Sequence, residues 1–452
     1  MRKTERIFTR KDNKKISLEA PKNILFMITL NSQLRRFQSL FLFAAVILCN
    51  AQTSKEEIFS DIRKTGGVYY VYPNPASTPP PPPAGYQPFY ISHYGRHGSR
   101  WLINDKDFSG ALEILKKASE NNALTETGKS ALQRLQHIWA LAEGHNGDLT
   151  QVGAMQQKQI SQRMVKNNPQ VFEGNSIVTA KSTLVPRCIL SMAYFTNELV
   201  IKNPKLQLNM ESSDKYMKYL NHHTKESIDF RSNDSFWQEE KRKFKQETLQ
   251  SDRFIKNIFN NEEYVYKNIN PEKLIEAFYW IASDMQNLET DISFYDLFTK
   301  EELFNIYQGI NYQTYVNDGP SPLSKGLVKN NAIPLVKNIL EEAENYIKNN
   351  TNGASLRFGH DGNIIPLLAF LNVNGMNKEE TDPKEVYKIW NTFQAAPMAA
   401  NFQMIFYRNK QNEVLVKFLL NENEVKIPVQ TSRFPYYPWQ DVKAYLKKLT
   451  NS

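Results

Sequence analysis

The sequence predicts an α/β fold: a core sheet flanked by helices, with a mainly helical domain inserted into it. Two observations carry this expectation. Three short apolar runs, at residues 89–92, 176–180 and 354–358, each end in a polar bend and pass into a helical pattern. Between residues 205 and 345 the pattern changes: glycines are scarce, lysines, asparagines and aromatics are frequent, and the apolar spacing is helical. A chain of 452 residues with 41% hydrophobic side chains is long enough for such a core and its insertion.

Residues 1–51 read as a leader. Arg35-Arg36 precede an apolar run from Phe37 to Leu48, and Cys49-Asn50-Ala51 puts small residues where a signal peptidase cuts. The run is too short to favour a transmembrane helix, so none is expected in the mature chain. Cleavage near Ala51 is expected ahead of lipid anchoring at Cys49, because Leu48 is bulky for the position before a lipidated cysteine. Met27 is an alternative start that gives a leader of ordinary length. The expected location is periplasmic or extracellular. Cys188 is then the one cysteine left, which excludes an intramolecular disulfide, and its apolar helical surroundings point to a buried thiol.

The formal charge is +9, but residues 1–51 hold ten basic and three acidic side chains and so carry seven of those charges. A nearly neutral body argues against nucleic acid as a partner.

Residues 52–88 form an N-terminal strap, with Gly66-Gly67, an aromatic run from Tyr69 to Tyr72, and consecutive prolines from Pro79 to Pro83 that favour extended chain. Residues 89–204 form the first part of the core. Its first strand ends at Tyr94-Gly95-Arg96-His97-Gly98. Residues 107–142 are helical, with Leu112, Leu115, Leu132, Leu135 and Ile138 on the apolar face. Thr150 caps a further helix, and the strand at 176–180 leads through Ser182-Thr183 into a helix bearing Arg187. Residues 205–345 are the inserted helical domain, where Thr299-Lys300-Glu301-Glu302 is a capping box. Residues 346–452 complete the core. A strand runs into Gly359-His360-Asp361 and an apolar helix, and strands at 402–407 and 414–420 make a hairpin.

The chemistry concentrates where strands become helices. Arg96 and Arg100 offer forked donors to a tetrahedral anion, and His97 stands between them where it could attack the anion's centre. In an open parallel sheet, ligands bind beyond the carboxyl ends of the strands, so Arg187 and His360-Asp361 could meet the first group at one mouth. Bland readings stand beside these: Arg187 as a surface ion-pair partner, Asp361 as a helix cap, His93 as a structural residue. His222-His223 fit a loop or surface better than a metal site, and Arg357 is a weaker candidate for substrate contact.

Taken together, these segments resemble the histidine acid phosphatases, clade 2 of the histidine phosphatase superfamily, and within them the phytase and multiple inositol polyphosphate phosphatase branch. The resemblance rests on Arg-His-Gly-x-Arg at Arg96 to Arg100, Leu149-Thr150 with Gly153, Ser182 to Arg187 with Ser191 and Phe195, and His360-Asp361 followed by Asn363 and Pro366. It spans residues 85–375. It implies a phosphoglycerate-mutase-like core. It also implies that His97 is the nucleophile and becomes phosphorylated, that Arg96, Arg100, Arg187 and His360 bind phosphate, and that Asp361 protonates the leaving group. No metal or other cofactor is implied. The implied partner is a small-molecule phosphate ester, with inositol polyphosphates such as phytate as a substrate guess. The chain has His-Asp where many inositol polyphosphate phosphatases have His-Ala-Glu. A phosphoglycerate-mutase-like phosphotransferase and a non-catalytic phosphate-ester binding protein are the alternative readings.

Overall fold

The computed structural model describes residues 54–75 and 80–451. The leader, with Met27, Arg35-Arg36, Cys49 and the cleavage position, and also Pro79, lie outside the described residues. The core is a mixed sheet of eight strands. They are β1 (Gln87–Arg96), β2 (Ile177–Ser182), β3 (Gln207–Ser212), β4 (Gly353–Gly359), β5 (Asn401–Arg408), β6 (Val414–Leu420), and the short β7 (Asn423–Glu424) and β8 (Tyr436–Pro438). The order is β3-β2-β4-β1-β5-β6-β7, with β8 also pairing with β6. β1 to β4 run parallel, and β5 and β6 antiparallel.

Register positions the functional end of the sheet. Arg96 of β1 pairs with Gly359 of β4, and Ser182 of β2 pairs with Phe358. The carboxyl ends of three strands are therefore flush, and the residues after each emerge at one edge. β5 enters from that edge, with Asn401 opposite Gly95. The first strand is longer than its apolar run, because Tyr94, Gly95 and Arg96 continue the pairing on both sides. The expected hairpin at 402–420 is present as β5 and β6.

Every residue of β4, and every residue of β1 after Gln87, is buried, as expected for strands covered on both faces. On one face Tyr90, Phe402, Phe406 and Val416 pack against helices α7 (Ile333–Lys348), α8 (Asp361–Phe370) and α9 (Trp439–Asn451). On the other, Ile91, Val178, Leu356 and Phe358 meet α3 (Gln151–Asn167) and α4 (Pro186–Lys202) through Ile160, Met164, Phe195 and Leu199. β3 is the polar edge strand, which discourages pairing with another chain.

A second core lies away from the sheet. Helix α1 (Lys106–Glu120) buries Phe108, Ala111, Leu112, Leu115 and Ala118, one face at helical spacing. It breaks before α2 (Glu126–Ala142), whose N-terminus Thr125 caps by accepting the Gly128 N–H at 3.0 Å. These two helices share a core with α5 (Pro271–Asp284), through Phe278, Tyr279 and Ala282. The first residues of the 205–345 block form β3, and the rest of it is helical up to and including most of α7. The capping box begins helix α6 (Lys300–Asn317) as the sequence predicts. No helix among the described residues is long and apolar enough to cross a membrane.

Candidate active site

The loop after β1 lies directly on the N-terminal turn of α3. A Cβ on Gly98 would come within 2.4 Å of the Gly153 carbonyl oxygen, and one on Gly153 within 2.2 Å of the Ser99 carbonyl oxygen, so this approach needs both glycines. Side chains then tie the loop down. The Gly98 N–H donates to Ser191 Oγ (3.1 Å) and the Ser99 N–H to Gln156 Oε1 (2.9 Å). Gln157 Nε2 donates to the Arg96 carbonyl at 3.0 Å.

This arrangement orients the His97 ring. Its Nδ1 sits 2.8 Å from the Gly98 carbonyl, an acceptor only, so Nδ1 carries the proton and Nε2 keeps its lone pair. The ring is buried. Burial, followed by the charges of Arg96, Arg100, Arg187 and His360, holds its pKa well below the usual histidine value. Burial and these charges therefore favour the neutral imidazole, with Nε2 free.

Three guanidiniums surround it. Arg96 has no exposed surface; its Nη1 donates to the carbonyls of Val68 and Ala396, the latter at 2.9 Å. Its Nη2 lies 3.2 Å from Asp361 Oδ2. Arg100 donates from Nη1 to the Trp101 carbonyl (2.8 Å), and its guanidinium carbon sits 4.7 Å from the centre of the Tyr69 ring. Nε of Arg96, Arg100 and Arg187 are buried without a hydrogen-bond partner in the protein. Such groups are costly to bury unpaired, and three on one edge suit a bound anion.

His360 faces His97 with ring centres 5.7 Å apart. Its Nε2 lies 3.2 Å from Thr183 Oγ1, and Cys188 Sγ packs against the ring at 3.8 Å. Burial lowers its pKa to about 4; Asp361 opposes this, and Arg187, Arg96 and Arg100 add to it. Asp361 opens α8, where its Oδ1 accepts the Gly362 N–H at 3.1 Å. Its side chain keeps 32% of its exposure, so it is open to a ligand. Burial pushes the carboxyl up, but Arg96, Arg100 and His360 outweigh that and hold it below the usual carboxylate value.

The structure therefore brings Arg96, His97, Arg100, Arg187, His360 and Asp361 to one edge. The other candidates do not line the anion cradle, although Cys188 and His223 border it. His93 is buried against Phe195 and Phe358 with its Nδ1 unpartnered, a packed structural residue. Arg357 is buried between the sheet and α7 and donates to Asn338 and Ser92. His223 lies in a loop beside Arg231, its ring 4.0 Å from where a Cβ on Gly362 would stand. Cys188 is buried, and burial lifts its thiol to about 11. Val68, Tyr69, Asp284 and Asn287 also shape the site. They carry no motif, and they reach the site from segments remote in the chain.

The buried histidines predict an acid-sensitive fold. Burial takes His93 to about 3, and His223 and His360 to about 4. The unfolded chain binds protons on these rings below about pH 6.5. The native chain does not until pH 3–4, so stability is full above that window and drains as pH falls through it. His93 alone would account for up to roughly 4 kcal/mol by pH 3. The melting temperature is expected to fall between pH 6.5 and 4, with a shallower slope in His93→Gln. An unchanged slope in that variant would contradict this account.

A buried imidazole inside three guanidiniums, with a carboxyl at the rim, suits a class of protein that handles phosphoryl groups. The description "histidine phosphatase superfamily (branch 2)" matches residues 95–421. The chain belongs to that superfamily and is a phosphatase. No curated relative matches by sequence. Among solved structures, the fold is similar to a Bifidobacterium longum multiple inositol polyphosphate phosphatase in complex with inositol hexasulfate. The TM-score is 0.73 at 19% identity, covering 85% of this chain and 97% of that one. It is also similar to the phytase from D. castellii, with TM-score 0.64 at 15% identity over 86% and 85% of the two chains. For the Citrobacter braakii phytase the TM-score is 0.51 at 12% identity, over 80% and 98%.

Proposed function

We propose that the protein is an exported phosphomonoesterase that acts through a phosphohistidine at His97. The ester phosphate sits among Arg96, Arg100, Arg187 and His360. Nε2 of His97 attacks phosphorus as the bond to the leaving oxygen breaks, and the Asp361 carboxyl gives its proton to that oxygen. Water then attacks the phosphohistidine, passes a proton to the Asp361 carboxylate, and releases inorganic phosphate as the N–P bond breaks. Positioning and fixed positive charge supply most of the catalysis in phosphoryl transfer. The observation that carries this reading is the set of buried, unpartnered guanidinium nitrogens around an imidazole whose Nδ1 is held by a carbonyl.

Inositol polyphosphates are the proposed substrate class. The similar solved folds are named for that chemistry, and the acid at the rim is partly exposed, so a bulky alcohol can stand beside it. The test is phosphate release from p-nitrophenyl phosphate and inositol hexakisphosphate between pH 3 and 8. Turnover of both, with preference for the inositol ester, is the expected result. Release from neither would overturn the reading, and transfer to an added alcohol without hydrolysis would make the protein a phosphotransferase.

A further inference from the structure

One turn lies behind the anion cradle and holds it from the rear. Asp284 ends α5, and Asn287 ends the 3-10 turn Met285–Asn287 that follows. Neither has any exposed surface. Asn287 Oδ1 accepts from Ser99 Oγ at 2.7 Å, its Nδ2 donates to the Tyr69 carbonyl at 3.0 Å, and its own carbonyl accepts from Thr150 Oγ1 at 2.8 Å. Asp284 Oδ2 accepts the Leu102 N–H at 3.2 Å. The turn thus grips the chain on both sides of Arg100, at Ser99 and Leu102, and also grips Tyr69, whose ring lies against the Arg100 guanidinium. Among the described residues, no carboxylate lies within ion-pair distance of Arg100.

We propose that Asp284 and Asn287 are positioning residues for Arg100, holding the loop that presents it, with Asp284 a buried carboxyl behind the cradle whose charge opposes a bound anion. The proposal rests on the phosphatase reading and adds a control on its anion affinity. Asn287 sets where the loop lies. Asp284 sets how much negative charge opposes the ligand.

Four ionisable groups face Asp284 from the elements around it: Arg100 from the loop after β1, Asp107 from α1, Tyr69 from the strap, and Tyr295. Burial raises the Asp284 carboxyl to about 7; Arg100, Asn287 and the Leu102 N–H oppose this, and Asp107 adds to it. Below that pH the carboxyl is neutral and the positive charge of the cradle is undiminished. Above it, a buried carboxylate adds a negative charge behind the cradle. Other groups near the cradle titrate elsewhere. His360 does so near 4, and Cys188 near 11. Asp318, held by Arg231, titrates near 6, but it lies on the Asp361 side, 3.6 Å from where a Cβ on Gly362 would stand.

Sulfate is a suitable probe, since it stays a dianion across the range. Its affinity is measured by calorimetry from pH 5 to 9, with no need for turnover. In the wild type, affinity is expected to fall roughly ten- to thirtyfold as pH rises through 7, the size of one like charge acting at several ångströms. Asp284→Asn should remove that step. Asn287→Ala should weaken sulfate at every pH and keep the step. A flat wild-type curve overturns the proposal without any variant, and so does a step that survives in Asp284→Asn. Should that variant not fold, Asp107→Asn removes a like charge facing Asp284 and should move the wild-type midpoint to lower pH; an unmoved midpoint counts against the proposal. Absence of ester hydrolysis alongside an intact step would defeat the phosphatase reading and leave this one standing.

Discussion

His97→Ala is expected to lower phosphate release on the order of 10⁴-fold or more, the scale seen when a covalent nucleophile is removed. The remaining site still holds three guanidiniums with buried, unpartnered nitrogens. Sulfate should therefore bind the variant about as well as it binds the wild type. This pairing separates a lost nucleophile from a collapsed site. Retained turnover would exclude the phosphohistidine route. Lost turnover together with lost sulfate binding would mean that the imidazole is needed to build the cradle. The acid limb of the wild-type profile should lie far below pH 6.5, because burial and the three arginines keep His97 unprotonated.

The second large effect belongs to Asp361. Asp361→Asn is expected to cost roughly 10²–10³-fold with an alkyl ester such as an inositol phosphate. The loss should be much smaller with p-nitrophenyl phosphate, whose phenolate leaves without a proton. Equal losses on the two esters would argue that Asp361 anchors Arg96 and donates nothing. The same carboxyl shapes the pH profile. In the free site, Arg96, Arg100 and His360 hold it below the usual value despite burial, which favours the carboxylate. A bound phosphate offsets those arginines and adds negative charge, which raises the carboxyl's pKa in the complex. The alkaline fall of kcat is therefore expected at higher pH than that of kcat/KM. Coincident limbs would contradict that account.

How far the site could be read from the chain depended on chain proximity. Arg96, His97 and Arg100 lie within five residues, so their chemistry shows as a pattern. His360-Asp361 shows for the same reason. Arg187 stands alone on its helix, and the family resemblance, not its own surroundings, pointed to it. Asp284 and Asn287 had no pattern to show. Asn287 contacts Ser99 from 188 positions away, and nothing local marks an asparagine as a partner of a distant serine. The two glycines follow the same logic. Gly98 and Gly153 lie in the segments that carry the family resemblance, but the physical need for them appears only when two backbones meet.

Local sequence also set the elements more firmly than their partners. The alternation and caps around β4, α3 and α6 follow from side-chain period and from Thr150 and Thr299, which act over three or four residues. The order of the sheet, with β4 between β2 and β1, does not follow from period. Nor does the shared core of α1, α2 and α5, which joins helices on either side of β2 in the chain. The sequence by itself determined the α/β class, the strand-to-helix junctions and the chemistry they carry, because period, capping and charge are local properties. Tertiary structure alone decided that the junctions end flush at one edge, that the His97 ring is buried among guanidiniums, and that Asn287 and Asp284 hold the loop on both sides of Arg100. Register, burial and electrostatic neighbours depend on segments that the chain holds far apart.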